Sequence, residues 1–124
     1  MGTFYHRSAI ASATRGPFEE IQALVDTGAT YTCIPRSILE HLGVVVEELR
    51  PFLLADGRTV DYRIAPIRVR LDGRTRFTIC IFGEEGTQPL LGAVTLEEFG
   101  LAVDPVAKRL VPVPGLLLQV EVSL

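Results

Sequence analysis

The amino-acid sequence predicts a mainly-β domain, a closed or folded barrel that carries one or two short helices. Most apolar runs are short and strand-like, only two segments have helical spacing, and 11 glycines and 8 prolines separate the runs. The chain has 124 residues, of which 48% are hydrophobic. This length suits one domain with an adequate core, so we expect a single domain over residues 1–124.

The N-terminal part of the chain predicts two strands followed by a sharp bend. Residues 2–10 and 18–25 have the periodicity of strands, and the second run becomes wholly apolar at its end. This end should therefore be buried in the core. Residues 26–30 are small or turn-forming, so the chain must bend directly after the buried strand.

Two segments predict short helices. Residues 35–43 have apolar side chains at helical spacing, with proline at the start and glycine at the end. Residues 95–100 predict the second helix, in which Thr95 should cap the N-terminus and Glu98 follows three residues later. Each helix has only one or two turns, so strands must build most of the core.

Two hairpins are predicted between these helices, and a strand is predicted at the end of the chain. Residues 50–54 and 59–64 flank an Asp-Gly pair, which favours a type I′ turn with positive φ at both central residues. Residues 67–71 and 74–82 flank a second Asp-Gly pair, and the alternation of polar and apolar residues there indicates one solvent-exposed face. A last alternating run, residues 118–124, predicts a C-terminal strand.

Charge and composition argue against several classes of partner and site. The net charge is −3 and the 12 basic residues are scattered, so we expect neither nucleic acid nor membrane as a partner. No cluster of His, Cys and acidic residues has metal-ligand spacing, so we expect no metal and no cofactor. Cys33 and Cys80 suggest free thiols, with a disulfide as the less favoured alternative. Together with the lack of an apolar leader, they predict a cytoplasmic protein.

One acidic residue lies where a carboxylate is energetically costly. Asp26 directly follows the apolar pair Leu24 and Val25, so it should lie at the edge of the interior. A carboxylate in such a place must be hydrogen-bonded or have a function. An ordinary Asx turn is the more frequent explanation of an isolated Asp-Thr-Gly triplet, so the surrounding residues must decide between the two readings.

These surroundings resemble the retropepsin-like aspartic peptidases. In that family an apolar pair, Asp-Thr-Gly-Ala and a small polar residue are followed later by an apolar-apolar-Gly triplet and a helix. The first pattern occurs here at residues 24–30 and the second at residues 90–92, before the predicted helix. The hairpin tip at residues 53–60 occupies the place of the family's flap, a hairpin that covers bound peptide. The resemblance spans roughly residues 18–105 and implies a retropepsin-like barrel with a flap.

The resemblance also implies an aspartic endopeptidase, in which two aspartates share one proton and activate a water molecule. The chain contains Asp-Thr-Gly only once, so the implied assembly is a homodimer in which each subunit contributes Asp26. The residues implied to support Asp26 are Thr27 and Gly28. Those implied to contact the peptide substrate are Ala29, Thr30, Cys33, Ala55, Asp56, Gly57 and Leu90.

Two departures separate the chain from viral members of the family. Viral members pair a second acid, just after Asp-Thr-Gly-Ala, with an arginine just after the apolar-apolar-Gly triplet, whereas this chain has Thr30 and Ala93 there. The flap holds only Gly57, where viral flaps have several glycines. The chain therefore resembles cellular and prokaryotic members more than viral ones.

Two alternative interpretations remain open at this point. The first is a catalytically inactive retropepsin-like domain that dimerises or binds peptides. The second is an unrelated β-barrel binding domain in which Asp26 is only a turn residue. The second alternative leaves the residues 90–92 pattern and the hairpin before it as coincidence.

Overall fold

The computed structural model describes residues 3–115, which form nine strands and two short helices. The strands are β1 Phe4–Ser12, β2 Glu19–Val25, β3 Thr32–Pro35, β4 Glu48–Leu53, β5 Thr59–Leu71, β6 Arg74–Gly83, β7 Leu90–Leu91, β8 Leu101–Asp104 and β9 Arg109–Pro112. The helices are α1 Arg36–His41 and α2 Ala93–Glu98. The mainly-β prediction is confirmed, whereas the strand predicted at residues 118–124 lies outside the described residues.

Six of these strands close into a barrel. Their order is β1-β2-β7-β3-β6-β5, and the ring closes because β1 pairs with both β2 and β5. β4 pairs only with the first half of β5, so these two strands form a hairpin arm at the edge of the barrel. β8 and β9 form a separate two-stranded sheet after α2. The predicted closed barrel with two short helices is thus confirmed.

The core lies inside the barrel and is closed by the two helices. Strand alternation places Ile67, Val69 and Leu71 of β5 inside, where none has measurable exposure, while the residues between them are half-buried. Leu39 of α1 and Phe99, just after α2, are also buried in this cluster. Each such apolar side chain contributes roughly 1.5–3 kcal/mol when it is fully buried.

β5 is one strand of 13 residues, although the sequence predicted two strands at residues 59–64 and 67–71. Pro66 lies in the middle of this strand and lacks the N–H that a ladder requires. The pairing with β4 ends at Ile64 and the pairing with β1 begins at Ile67. Pro66 therefore lies in a gap between two neighbouring strands, where β5 can continue on its pairing with β6 alone.

The two Asp-Gly turns have different conformations. Asp72 and Gly73, where only a hairpin turn was predicted, both have positive φ, 50° and 83°, as in a type I′ turn. At the other tip only Gly57 has positive φ, 89°, and its N–H donates to the Leu54 carbonyl. The type I′ prediction is wrong there, because the Asp56 carboxylate accepts the Arg58 N–H at 3.0 Å and stabilises a three-residue loop ending in a glycine bulge.

Helix α2 begins at Ala93, two residues earlier than predicted, and its N-cap is Gly92 rather than Thr95. The first two helical N–H groups donate to the carbonyls of Ala29 and Thr30, at 2.8 and 2.9 Å. The main chain of the turn after β2 thereby satisfies donors that a capping side chain would otherwise satisfy. Thr95 is instead fully buried within the helix.

Candidate active site

Asp26 lies at the end of β2, where the chain turns towards β3. β7 lies between these strands, parallel to β2 and antiparallel to β3. The N–H of Asp26 donates to the Leu91 carbonyl of β7 at 3.1 Å. Val25 is fully buried and Asp26 is partly exposed, so the carboxylate is presented at the barrel surface from a rigid strand end.

The Asp26 carboxylate is only partly satisfied by its own chain. The Gly28 N–H donates to Oδ1 at 2.9 Å, and the Ala29 N–H closes the turn on the Asp26 carbonyl at 3.1 Å. A Cβ at residue 28 would lie 3.2 Å from Oδ1, so glycine leaves room for the carboxylate. Among residues 3–115 no basic side chain pairs with Asp26. The carboxylate can therefore accept further hydrogen bonds from a ligand, water or a second chain.

A close main-chain crossing joins the Asp26 turn to the segment before α2. A Cβ at Gly92 would lie 2.5 Å from the Tyr31 carbonyl carbon and 2.8 Å from the Thr30 oxygen, so only glycine fits. The residues that replace the viral acid-arginine pair, Thr30 and Ala93, lie in segments joined here by main-chain hydrogen bonds. The two motif segments thus form one rigid unit without a buried ion pair.

Three buried threonines lie behind this unit and connect β3, β6 and α2. Thr95 Oγ1 lies 2.6 Å from Thr32 Oγ1 and 2.8 Å from Thr78 Oγ1, and the Gly92 N–H donates to Thr32 Oγ1 at 3.2 Å. All three side chains are at most 3% exposed. Sequence reasoning missed this chain of hydroxyl groups, for which the only signal is the inward position of Thr32 and Thr78 in their strands.

The residues predicted to contact substrate form two groups. Ala29, Thr30, Cys33 and Leu90 adjoin the Asp26 turn, and Cys33 of β3 pairs with Leu90 of β7. Ala55, Asp56 and Gly57 form the exposed tip of the β4–β5 hairpin. Within residues 3–115 no hydrogen bond joins the tip to the Asp26 turn.

The strands of the hairpin, in contrast, contact the Asp26 segment through aromatic rings. The Tyr31 and Phe52 rings meet edge to face with centroids 5.6 Å apart, and Phe52 meets Tyr62 at 5.9 Å. The Arg50 guanidinium lies 5.5 Å from the centroids of both Tyr31 and Phe52. Sequence reasoning missed this cluster because its members come from three separate segments of the chain.

The two cysteines are free thiols in neighbouring strands, as predicted. In the register of β3 and β6, Cys33 is opposite Ile81 and Cys80 is opposite Thr32, so the two thiols belong to different faces. Burial raises the pKa of the half-buried Cys33 thiol, and it raises the pKa of the fully buried Cys80 thiol more strongly. Both groups are therefore neutral near pH 7 and are poor nucleophiles.

A cavity of about 710 Å³ adjoins the Asp26 turn on the side of α2 and the β8–β9 sheet. It is lined mainly by apolar side chains, with Thr27 at the Asp26 turn and Val113 near the end of the described residues. Within residues 3–115 no cluster of three metal-ligating side chains occurs, and no helix is long and apolar enough to span a membrane.

A family model described as "gag-polyprotein putative aspartyl protease" matches residues 18–98, which include the Asp26 turn, the β4–β5 hairpin and the Gly92 crossing. The chain belongs to this aspartyl protease family. The match extends over strands β2 to β7 and over both helices. No curated protein matches the chain in a sequence search.

Solved structures of retroviral proteases share the barrel of this aspartyl protease family member. EIAV protease complexed with the inhibitor HBY-793 is 17% identical with a TM-score of 0.59, over 78% of this chain and 88% of that chain. The solution structure of simian foamy virus (mac) protease is 18% identical with a TM-score of 0.55, over 76% of this chain and 92% of that chain. These similarities confirm the predicted retropepsin-like fold.

Proposed function

We propose that the protein is an aspartic endopeptidase that acts as a homodimer, with one Asp26 from each subunit. The observation that carries the proposal is the incompletely satisfied Asp26 carboxylate at a rigid strand end, in a chain of the aspartyl protease family. The chain holds this motif once, while the reaction requires two carboxylates. A second copy related by a two-fold axis is the simplest source of the second carboxylate.

The proposed chemistry follows from two aspartates that share one proton. Two carboxylates about 3 Å apart cannot both be ionised, so one Asp26 is protonated and the other is charged. The charged Asp26 accepts a proton from a bound water, whose oxygen attacks the carbonyl carbon of the peptide bond. The protonated Asp26 donates to the carbonyl oxygen. The tetrahedral intermediate then collapses as the leaving nitrogen takes up a proton, which leaves a free acid and a free amine. The Gly28 N–H at Oδ1 orients the carboxylate for these transfers.

The surface next to Asp26 supports the proposed dimer. Thr27 is exposed, and the apolar cavity beside it offers a concave surface for a second copy. We expect an interface of about 2,000 Å² or more, because an active site shared between subunits requires a stable assembly. Of the two terminal strands expected to pair with the partner, residues 118–124 lie outside the described residues, whereas β1 pairs only with β2 over residues 4–8 and would offer its free edge there to the second subunit.

We propose that the peptide substrate binds in an extended conformation between the Asp26 turn and the hairpin tip. Ala29, Thr30, Cys33 and Leu90 would line the floor of this cleft. The tip, Ala55 to Gly57, has no buried side chain and would close over the peptide and exclude water. The two free thiols support a reducing compartment, the cytoplasm, as the place of action.

The deciding experiment compares wild-type protein with Asp26→Asn on a library of peptides from digested proteins, between about pH 4 and 7. Cleavage products are identified by mass spectrometry, and sedimentation measures the assembly at roughly tens of micromolar protein. We expect a bell-shaped pH profile with its maximum on the acidic side of neutrality, because the productive state holds one proton. Asp26→Asn should be inactive and dimeric. Its stability should be unchanged or higher by about 1 kcal/mol, because the variant removes the one negative charge that the two Asp26 side chains enclose between the subunits of the proposed dimer.

Asp61→Asn is the matched control, since it makes the same chemical change at an exposed position of the hairpin and should stay active. A cleaving Asp26→Asn variant, an Asp26→Asn variant that is inactive only because it unfolds, or an active monomer would each contradict the proposal. A dimer that binds peptides without cleaving them would establish the inactive binding module instead.

A further inference from the structure

Arg50 lies on the face of the β4–β5 hairpin that is turned towards the Asp26 segment. Residues two apart in a strand share a face, so Arg50 and Phe52 lie on the same side, and Tyr62 of β5 is the register partner of Arg50. This is the less exposed side of the hairpin. The guanidinium carbon lies 5.5 Å from the ring centre of Tyr31, which follows Asp26 by five residues. Arg50 is thus a cation beside the proposed cleft.

The hydrogen-bonding groups of this arginine are not used within residues 3–115. No hydrogen bond or ion pair in this part of the chain involves the Arg50 side chain, and Glu48 on the same face forms no ion pair with it. Arg58 on the same hairpin is neutralised by Asp56 at 2.7 Å. Contacts with the rings of Tyr31 and Phe52 attract the cation without using its N–H donors.

The two rings also hold the guanidinium in place before any ligand binds. Ordering a free arginine side chain costs up to about 2 kcal/mol, and the ring contacts reduce this cost at the moment of binding. Arg50 lies midway along the hairpin, opposite Tyr62 and five residues before the tip, and its guanidinium contacts Tyr31, directly before β3. Its position should therefore change little when the tip moves. A planar guanidinium that is fixed and unpaired is matched in shape and charge to a carboxylate, which it can bind through two parallel hydrogen bonds.

We propose that Arg50 determines specificity by binding an acidic side chain of the peptide substrate, so that the enzyme prefers Glu or Asp at one position near the cleaved bond. This proposal rests on the proposed function. The aromatic rings around Arg50 would pack against the aliphatic part of the same substrate side chain. A lysine at that substrate position would be repelled by Arg50, which adds discrimination against basic peptides.

The test uses the peptide library described above with wild-type protein, Arg50→Gln, Arg50→Glu and the control Arg63→Gln. The Arg63→Gln change removes the same charge from the opposite face of the hairpin, where the Arg63 side chain is exposed. The residues flanking each cleaved bond are identified by mass spectrometry. Three synthetic peptides that differ only by Glu, Gln or Lys at the enriched position then give kcat/KM for each variant.

We expect wild type and Arg63→Gln to prefer the Glu peptide by about tenfold, the usual range for a hydrogen-bonded charge pair. Arg50→Gln should lose the preference, and Arg50→Glu should reverse it towards a matched Lys peptide. In wild type the preference should weaken at high salt and below about pH 4, where the substrate carboxylate is protonated. A merely structural Arg50 would not respond to the charge of the substrate.

Cleavage that depends on Asp26 but shows no acidic preference, or a preference that persists in Arg50→Gln, would overturn this proposal and leave the proposed function intact. Absence of cleavage of every peptide by wild-type protein would overturn both. Melting temperatures show whether each variant is folded. An unfolded variant would also cleave neither the Glu nor the Gln peptide, so unfolding cannot cause a loss of preference alone.

Discussion

Replacing Thr95 with valine tests whether the buried hydroxyl groups behind the Asp26 turn hold the barrel and α2 together. Valine has nearly the shape of threonine, so the change removes a hydroxyl group without leaving a large cavity. The Thr95 hydroxyl group contacts Thr32 at 2.6 Å and Thr78 at 2.8 Å, and the variant would leave both partners buried with one hydrogen bond fewer.

The expected loss of stability can be estimated from these contacts. A buried donor or acceptor left without its partner costs about 1–3 kcal/mol. Thr78 would lose the only hydrogen bond that its side chain makes within residues 3–115, whereas Thr32 would still accept the Gly92 N–H at 3.2 Å. We therefore expect Thr95→Val to lower the free energy of unfolding by about 2–3 kcal/mol and the melting temperature by about 10 °C.

Urea denaturation of purified variants measures this loss, with Thr75→Val as the control at an exposed position of β6. Thr78→Val completes a double-mutant cycle. In the Thr95→Val background, Thr78→Val should lower the free energy of unfolding by at least about 1 kcal/mol less than it does in wild type, because Thr78 has already lost its hydrogen-bond partner there. A Thr95→Val protein within about 0.5 kcal/mol of the Thr75→Val control, or strictly additive effects of the two changes, would refute the assignment of these hydroxyl groups as a stabilising chain.

Three further predictions concern the crossing, a buried thiol and the hairpin tip. Gly92→Ala should destabilise the protein by about 3 kcal/mol or more, because the new Cβ would lie 2.5 Å from the Tyr31 carbonyl carbon. Gly115→Ala is the control, because a Cβ at residue 115 meets no other atom within 4 Å. Equal melting temperatures of the two variants would disprove the close crossing at Gly92. Burial raises the pKa of the Cys80 thiol, so above about pH 9 the thiol ionises in the unfolded chain while it stays protonated in the folded protein. The free energy of unfolding should therefore fall with rising pH, by up to about 1.4 kcal/mol per pH unit. This slope should be smaller in Cys80→Ala, and an unchanged slope would exclude the thiol as its source. Amide exchange at residues 54–58 should slow when a tight peptide-like inhibitor binds; unchanged exchange would rule out closure of the tip over the peptide.

Local signals in the sequence predicted most of the strands and hairpins, because alternation and turn residues act over a few neighbouring positions. These signals failed where contacts with a distant segment determined the local secondary structure. Two strands were predicted at residues 59–64 and 67–71, yet β5 continues through Pro66 because this residue lies in the gap between the pairing with β4 and the pairing with β1. Thr95 suggested a helix cap, yet the carbonyls of Ala29 and Thr30 had already satisfied the first N–H groups of α2.

The candidate site, like the fold, could be predicted from the sequence only in part. The single Asp-Thr-Gly, the later apolar-apolar-Gly triplet and the hairpin between them could be recognised from the sequence alone, since each pattern is contiguous. These patterns pointed to the family, to Asp26 and to the expectation of a second copy. Contacts within the site could not be recognised in this way, because their members are far apart in the chain.

The sequence by itself determined the type of fold, the family resemblance and the candidate catalytic residue, Asp26, at the end of a buried strand. Only the tertiary structure decided that Gly92 passes within van der Waals distance of Tyr31, and that Thr32, Thr78 and Thr95 share hydrogen bonds. It also decided that the Arg50 guanidinium lies against two aromatic rings, Tyr31 and Phe52, beside the Asp26 segment. The physical reason is that these contacts depend on closure of the barrel, which brings together residues whose local sequence carries no information about one another.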